Sequence, residues 1–467
     1  MTLRPYQSKV ITDLRDGYIA GYLRQLLVLP TGGGKTVIFS FITKSASSRG
    51  KRTIIMAHRS EILDQISSTL TQVGVDHGMI TAKSRPNRDK LVQVASIQTL
   101  VRRFDQIQPP DLLVFDESHH MAASQWSKVL AEYPTAKTLG VTATPERLDG
   151  RGLGEFFQKL VRGPEVQWLI DNDFLSRPVY YAPKNPIDFS RVRLIAGEYA
   201  KDEAEAVMDK PSITGDIVSH YRNLCHGKRA IAFCISIKHA EHISAQFNAA
   251  GIPSATIDGK LTPEVRKQRV NDLRDGRILV MTSCEIVNEG FDLPSVDVGI
   301  LCRPTKSLAL HLQQIGRTLR PRPGKTESVI LDHVGNCLIH GLAEERREWS
   351  LEGKSKNKRP KEAVLEIRQC KECYAIYLGT VCPQCGSERE SKVRELEIKE
   401  GELKRLEADE LLAKQKEKKE LRNCKTYEDI QRYGREKGYK PGWAYHRWKT
   451  IQHFKAVRAD RTSVPNP

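Results

Sequence analysis

Residues 25–47, QLLVLPTGGGKTVIFSFITKSAS, constrain the fold more than any other stretch. A short aliphatic run reads as a buried strand, three glycines follow, and the segment after them has helical spacing. Strand, glycine loop and helix in that order open a parallel α/β unit. Glycines at 32, 33 and 34 let the backbone turn tightly and aim successive N–H groups at an anion without Cβ obstruction, while the following helix offers its positive end. Thr31, Gly32, Gly33 and Gly34 would cradle a phosphate chain, Lys35 would reach its outer phosphates, and the Thr36 hydroxyl would hold Mg²⁺. The usual spacing has a glycine where this chain has Leu29.

Similar aliphatic runs recur between helical patterns: RTIIMA, LVQVAS, DLLVFD and TLGVTA, then, from about residue 228 to 335, RAIAFCIS, RILVMTS, VDVGILC and ESVILD. Two α/β domains with parallel sheets are expected in tandem. The run DLLVFDESHH ends in Asp116 and Glu117. One carboxylate at a strand end would hold the metal, usually through water, and the other would orient and deprotonate an attacking water. The second domain has no phosphate loop; it has QQIGRTLRP, whose Arg317 and Arg320 are expected on one face of a helix, facing a nucleotide shared across the interdomain cleft.

Eight motifs then follow in order: LRPYQ (3–7), PTGGGKT (30–36), MAHRSEILDQ (56–65), ASIQTL (95–100), DESH (116–119), TATP (142–145), TSCEIVNEGFDLP (282–294) and QQIGRTLR (313–320). The set resembles the superfamily 2 helicases of DEAD/DEAH-box type over about residues 1–345. That resemblance implies two tandem RecA-like domains and a nucleic-acid-dependent ATPase taking ATP and Mg²⁺. It implies adenine recognition by Gln7 with Arg4, and nucleotide sensing by Gly290 and Asp292. Coupling would run through His119, Thr142, Thr144 and Gln313, and His58, Arg59, Gln98 and Thr99 would contact the strand. DESH, and TATP in place of SAT, resemble the DNA-directed XPB/UvsW-like branch; the implied partner is DNA, with RNA as the alternative. A motor subunit of a restriction or repair complex, and a scaffold that has lost catalysis, are the other readings. Retention of Lys35, Glu117, Arg317 and Arg320 argues against the scaffold.

Past residue 350 the resemblance offers no guidance. CKECYAIYLGTVCPQC holds Cys370, Cys373, Cys382 and Cys385 as two C-x-x-C pairs, the spacing of a closed, structural Cys₄ zinc site. Redox-active dithiols are the competing reading. The other six cysteines, at 225, 234, 284, 302, 337 and 424, stand singly and read as reduced thiols. Of the net charge of +17, residues 346–467 supply +10, an excess that suits a polyanionic partner as well as a solubilising surface. Tyr439, Trp443, Tyr445 and Trp448, interleaved with Lys440, Arg447 and Lys449, fit base stacking and the core of a small helical module equally. No apolar run reaches the roughly 18 residues of a membrane span, and the first residues lack a secretory pattern, so a cytoplasmic protein with no membrane partner is expected. The expected domains are 1–170 and 216–350 joined by a connector at 171–215, then a basic linker (351–366), a zinc module (367–389), a charged helix (390–421) and a helical tail (422–467).

Overall fold

Every aliphatic run quoted above forms a strand, and successive side chains enter opposite buried faces. The computed structural model describes residues 2–120, 123–145, 152–182, 189, 192–195, 198–209, 211–284, 296–352, 367–370, 375–378, 381–387, 426–437, 439, 442–445 and 448. The chain divides into two compact units, Met1–Glu388 and Arg389–Pro467.

The first sheet contains β1 (Arg24–Val28), β2 (Thr53–Ala57), β3 (Gly78–Ile80), β4 (Val92–Ser96), β5 (Leu112–Phe115), β6 (Lys137–Thr142) and β7 (Lys159–Arg162). All pair in parallel, in the order β3-β4-β2-β5-β6-β1-β7. Leu27, Ile55, Val114 and Val141 enter one core. Leu26, Ile54, Met56, Leu113 and Phe115 enter the other, where Phe115 stacks on Trp126. Val28 lies opposite Thr142 and Ala57 opposite Ser96, so these strands end level and the loops after them share one edge. Strand β6 separates β1 from β5, which puts Thr142 between the glycine loop and the paired carboxylates.

Helix α1 (Pro5–Ile19) is tied to this sheet by a buried amide, Gln25 Nε2 donating to the Leu14 carbonyl at 2.9 Å. Gly17 allows that approach: a Cβ there would lie 2.0 Å from Gln25 Oε1. The start of α1, with Arg4 just before it and Gln7 in its first turn, is thereby held over the glycine loop.

The second sheet has the order β12-β13-β11-β14-β15-β8-β17-β16. Its parallel members are β8 (Arg177–Tyr181), β11 (Ala230–Phe233), β12 (Ser254–Ile257), β13 (Val280–Ser283), β14 (Val298–Leu301) and β15 (Glu327–Asp332). Between β8 and β11 a short hairpin pairs β9 (Leu194–Ile195) with β10 (Glu198–Tyr199). Strands β16 (Ile367–Gln369) and β17 (Ala375–Leu378) continue the sheet in antiparallel fashion from β8. The expected connector therefore contributes a strand, β8, to the second sheet, and the cysteine module extends that sheet's edge. Strand β8 is fixed by long-range pairing with β15 and by Tyr180, whose hydroxyl donates to Glu344 at 2.7 Å.

The chain also returns to the first domain after β15. Trp349 and Leu351 pack on the first domain's second core, and the Leu351 carbonyl accepts from Gly154 N–H at 2.8 Å. The helix Leu308–Thr318 abuts the glycine loop so closely that a Cβ on Gly316 would lie 2.5 Å from Thr31 Cβ.

In the second unit, the helix Tyr427–Glu436 begins with a capping box between Thr426 and Asp429 and buries Ile430 and Tyr433. Tyr433 and Tyr439 gather around Trp443, and a Cβ on Gly434 would lie 3.1 Å from the Trp443 ring. Of these rings only Tyr433 is buried; Trp443 is half-buried, and Tyr439 and Tyr445 are exposed. Lys440, Arg447, Lys449, Cys424 and the expected charged helix lie outside the described residues. Among the described residues, no helix is long and apolar enough to cross a membrane.

Candidate active site

The loop after β1 starts helix α2 (Lys35–Ser47) from Gly34, which is left-handed at φ 83°. Gly32 is left-handed too, at φ 86°. No side chain caps α2 and its first turn holds no acid, so its first N–H groups face outward as an anion site. The buried Thr31 hydroxyl has no hydrogen-bond partner among the described residues. Gln7 Nε2 and the Tyr6 hydroxyl both donate to the Gly33 carbonyl, at 3.3 and 2.7 Å, and Gln7 Oε1 accepts from Arg4 N–H at 2.9 Å. The Arg4 guanidinium lies 4.8 Å from the centre of the Phe174 ring, and Phe174 and Trp168 both contact Tyr6. Gln7 thus touches the glycine loop, and Arg4 adjoins it through Gln7. Phe174, Trp168 and Tyr6 pack on one another beside the loop, and no motif pointed to Phe174 or Trp168.

Lys35 is buried, donates to the Leu29 carbonyl at 3.3 Å and lies 4.0 Å from Glu117. Asp116 is buried beside it; burial and then Glu117 push its carboxyl up to about 7, while Lys35 and Arg317 pull it down. Glu117 is left-handed at φ 47°, a strained conformation for a residue with a Cβ. These groups, with half-buried Thr36, suit a nucleotide's phosphates and Mg²⁺: cationic and N–H donors line one side, two carboxylates the other.

His119 lies behind the carboxylates. Its Nδ1 is 2.8 Å from the Thr142 hydroxyl and 3.4 Å from Glu117 Oε2; its Nε2 is 3.4 Å from Gln313 Nε2 of the second domain. The Thr142 hydroxyl donates to the Thr144 carbonyl at 2.7 Å, so it accepts from Nδ1–H, leaving Nε2 to accept from the Gln313 amide. One tautomer therefore satisfies the whole chain of bonds from the first domain to the second.

Arg317 is buried and its charge acts on Asp116. Arg320 is placed differently from the expectation: the helix stops at Thr318, Leu319 caps it, and Arg320 stands beyond. Pro321 follows, and the ring of a proline disfavours helical backbone in the residue before it. Arg320 still reaches the loop, its Cγ lying 4.0 Å from where a Cβ on Gly32 would sit. Gly290 and Asp292 lie outside the described residues.

Residues 1–147 match the model of the family described as type III restriction enzyme, res subunit, and residues 209–322 that of the helicase conserved C-terminal domain. Over 385 residues the chain is 34% identical to a 51.5 kDa protein of a Lactococcus phage, covering 80% of this chain and 82% of that protein. The chain belongs to the superfamily 2 helicases. This helicase is 29% identical to IRC3 of Saccharomyces cerevisiae, provisionally named an ATP-dependent helicase; the match covers 72% of this chain and 52% of IRC3, about half its length. It is 24% identical to the DNA 3'-5' translocase XPB2 of Sulfurisphaera tokodaii, over 74% of this chain and 84% of that one. Its fold is like that of a provisionally assigned HsdR subunit fragment of a type I restriction enzyme from Vibrio vulnificus, with TM-score 0.57, 20% identity, and coverage of 73% and 67%.

In this helicase His58 and Arg59 follow β2, Gln98 and Thr99 follow β4, and Gln98 Nε2 donates to the His58 carbonyl at 3.5 Å. All four share the strand-end edge with the glycine loop, where ligands of parallel α/β sheets bind. Across from them, Glu61 in α3 (Ser60–Gln72) pairs with Arg266 of the second domain at 2.7 Å.

Cys370, Cys382 and Cys385 bring their sulfurs within 4.8 Å of one another, with Cys370 and Cys385 3.5 Å apart. That is far beyond a disulfide bond of about 2.0 Å and near the ~3.8 Å edge of a tetrahedron with Zn–S bonds of ~2.3 Å. Backbone bonds shape both knuckles: Cys370 N–H donates to Ala375, and Gly386 N–H to Cys382. Cys373 lies outside the described residues. Five of the six single cysteines, Cys225, Cys234, Cys284, Cys302 and Cys337, are buried and form no disulfide among the described residues.

Proposed function

We propose that the chain is an ATP-dependent DNA translocase or helicase in which closure of the two domains on ATP, and their opening after hydrolysis, moves it along a strand. One observation carries this reading above the others: His119, with Nδ1 3.4 Å from a Glu117 oxygen, is hydrogen-bonded both to Thr142 of its own domain and to Gln313 of the other, so the carboxylates are in contact with a group that bridges the two domains. Lys35 and the loop N–H groups hold the phosphates, Glu117 takes the proton of the attacking water, and Arg317 and Arg320 stabilise charge on the transferring phosphoryl group. Mg²⁺, when bound with the nucleotide at Thr36 and Asp116, neutralises phosphate charge. Gly290 and Asp292 would sense the nucleotide from the second domain. The first domain's share of the strand path is His58, Arg59, Gln98 and Thr99, next to the coupling residues Thr142 and Thr144. The limits of 1–170 and 216–350 expected from sequence belong to the same proposal, with strand β8 of the expected connector added to the second domain.

DNA is the favoured polymer because the chain has DESH and TATP and aligns along most of the XPB2 translocase. Steady-state ATP hydrolysis with no polymer, single-stranded, duplex or forked DNA, or RNA tests this, with Lys35→Ala as the blank. Strong stimulation by DNA, absent in the blank, is expected. Stimulation by RNA alone overturns the choice of polymer, and no hydrolysis with any polymer favours the scaffold.

The three clustered thiols support a structural zinc site completed by Cys373. Metal analysis of purified protein should find close to one zinc per chain, reduced in Cys382→Ser with ATP hydrolysis largely kept. Protein purified without chelators that lacks zinc sinks this assignment.

A further inference from the structure

Lys325 is a half-buried lysine that the proposed mechanism leaves unused. An ammonium group taken from water costs free energy unless each of its three N–H donors finds an acceptor. Lys325 Nζ finds three main-chain carbonyls: Val296 at 2.7 Å, Arg320 at 3.0 Å, and Thr318. Two of these lie at the end of the helix Leu308–Thr318, where the last carbonyls have no partner within the helix and the dipole favours a cation.

The rest of that turn is held as well. The Ser328 hydroxyl donates to the Thr318 carbonyl at 3.0 Å and Ser176 N–H to the Leu319 carbonyl at 2.8 Å. Arg322 pairs with both oxygens of Asp297 at 2.7 Å. Lys325 grips both sides of Leu319 and also the neighbouring strand approach at Val296. Pro321 disfavours helical backbone at Arg320, so the chain turns away from the helix there, and Lys325 holds the Arg320 carbonyl at that turn.

We propose that Lys325 is a positioning residue of the ATPase site, fixing the backbone from which Arg320 reaches the phosphate loop. This rests on the reading of Arg320 as a phosphate-facing arginine. Lys325 touches neither nucleotide nor polymer; it acts through the direction in which Arg320 leaves the turn. A displacement of about 1 Å at such a group can cost on the order of 100-fold in rate.

A double-mutant cycle on the full chain tests it, using steady-state ATP hydrolysis at saturating single-stranded DNA for wild type, Lys325→Met, Arg320→Ala and the double variant. Expected for Lys325→Met is a kcat lower by roughly 10- to 100-fold with KM for ATP within about twofold. The double variant should be no slower than Arg320→Ala, because the lysine has nothing left to position. Unfolding midpoints are measured alongside, and if Lys325→Met does not fold, Lys325→Gln, which is shorter and uncharged and so cannot hold all three carbonyls but remains polar, carries the same cycle. Multiplying effects in the double variant, or a raised KM with kcat kept, overturn the proposal while the ATPase reading stands. A wild-type rate for Arg320→Ala removes both the finger and its positioning residue, and a wild-type chain that hydrolyses no ATP with any polymer removes the whole reading.

Discussion

Arg317→Ala is expected to slow polymer-stimulated ATP hydrolysis by about 10³-fold, some 4 kcal/mol of transition-state stabilisation, with nucleotide affinity changed little. Arg317 is buried on a helix whose Gly316 presses against Thr31, and its charge acts on Asp116. A cation held there meets negative charge that grows on the phosphoryl oxygens as the bond breaks, so its loss falls on kcat more than on binding. Its packing makes lysine a poor substitute, because an ammonium lacks the planar fork of donors. The measurement is kcat at saturating DNA beside the dissociation constant of a fluorescent ADP analogue. A folded Arg317→Ala variant working within about threefold of wild type removes this residue from the transition state.

The residues that sequence located best are those carried by local signals. Lys35, Asp116, Glu117 and Thr142 follow aliphatic runs that can only be buried strands, and parallel pairing in level register brings those strand ends together. Their side chains were therefore placed by strand order as much as by motif. Arg320 shows the limit of spacing arguments: three residues from Arg317 suggested a shared helix face, yet Pro321 was already present to end the helix. Strand β8 was hidden because RPVYY has a proline and little alternation, and it is a strand only by pairing with β15, about 150 residues later. Phe174 and Lys325 were illegible for the same reason. Each acquires its partners, Arg4 for one and the carbonyls of Val296 and the helix end for the other, through tertiary contacts that no local pattern encodes.

Glu117→Gln should separate binding from hydrolysis. The substitution keeps the side chain's size and removes its capacity to take a proton, for which a loss of about 10²- to 10⁴-fold in kcat is expected. Nucleotide binding should survive, since Lys35 and the N–H groups of the loop are kept and a negative charge 4.0 Å from Lys35 is removed. Relief of repulsion between Glu117 and buried Asp116 also predicts that the folded state is no less stable, although the φ of 47° at position 117 remains. With hydrolysis blocked, the ATP-bound closed form would accumulate, and His119 and Gln313 would hold the domains together. The variant should accordingly bind single-stranded DNA more tightly with ATP than with ADP, by a margin larger than wild type shows in steady state. Filter binding under both nucleotides, beside a single-turnover hydrolysis assay, measures this. Hydrolysis near the wild-type rate would move the general base elsewhere, whereas slow hydrolysis without the difference in DNA affinity would leave Glu117 catalytic and disconnect it from the coupling chain.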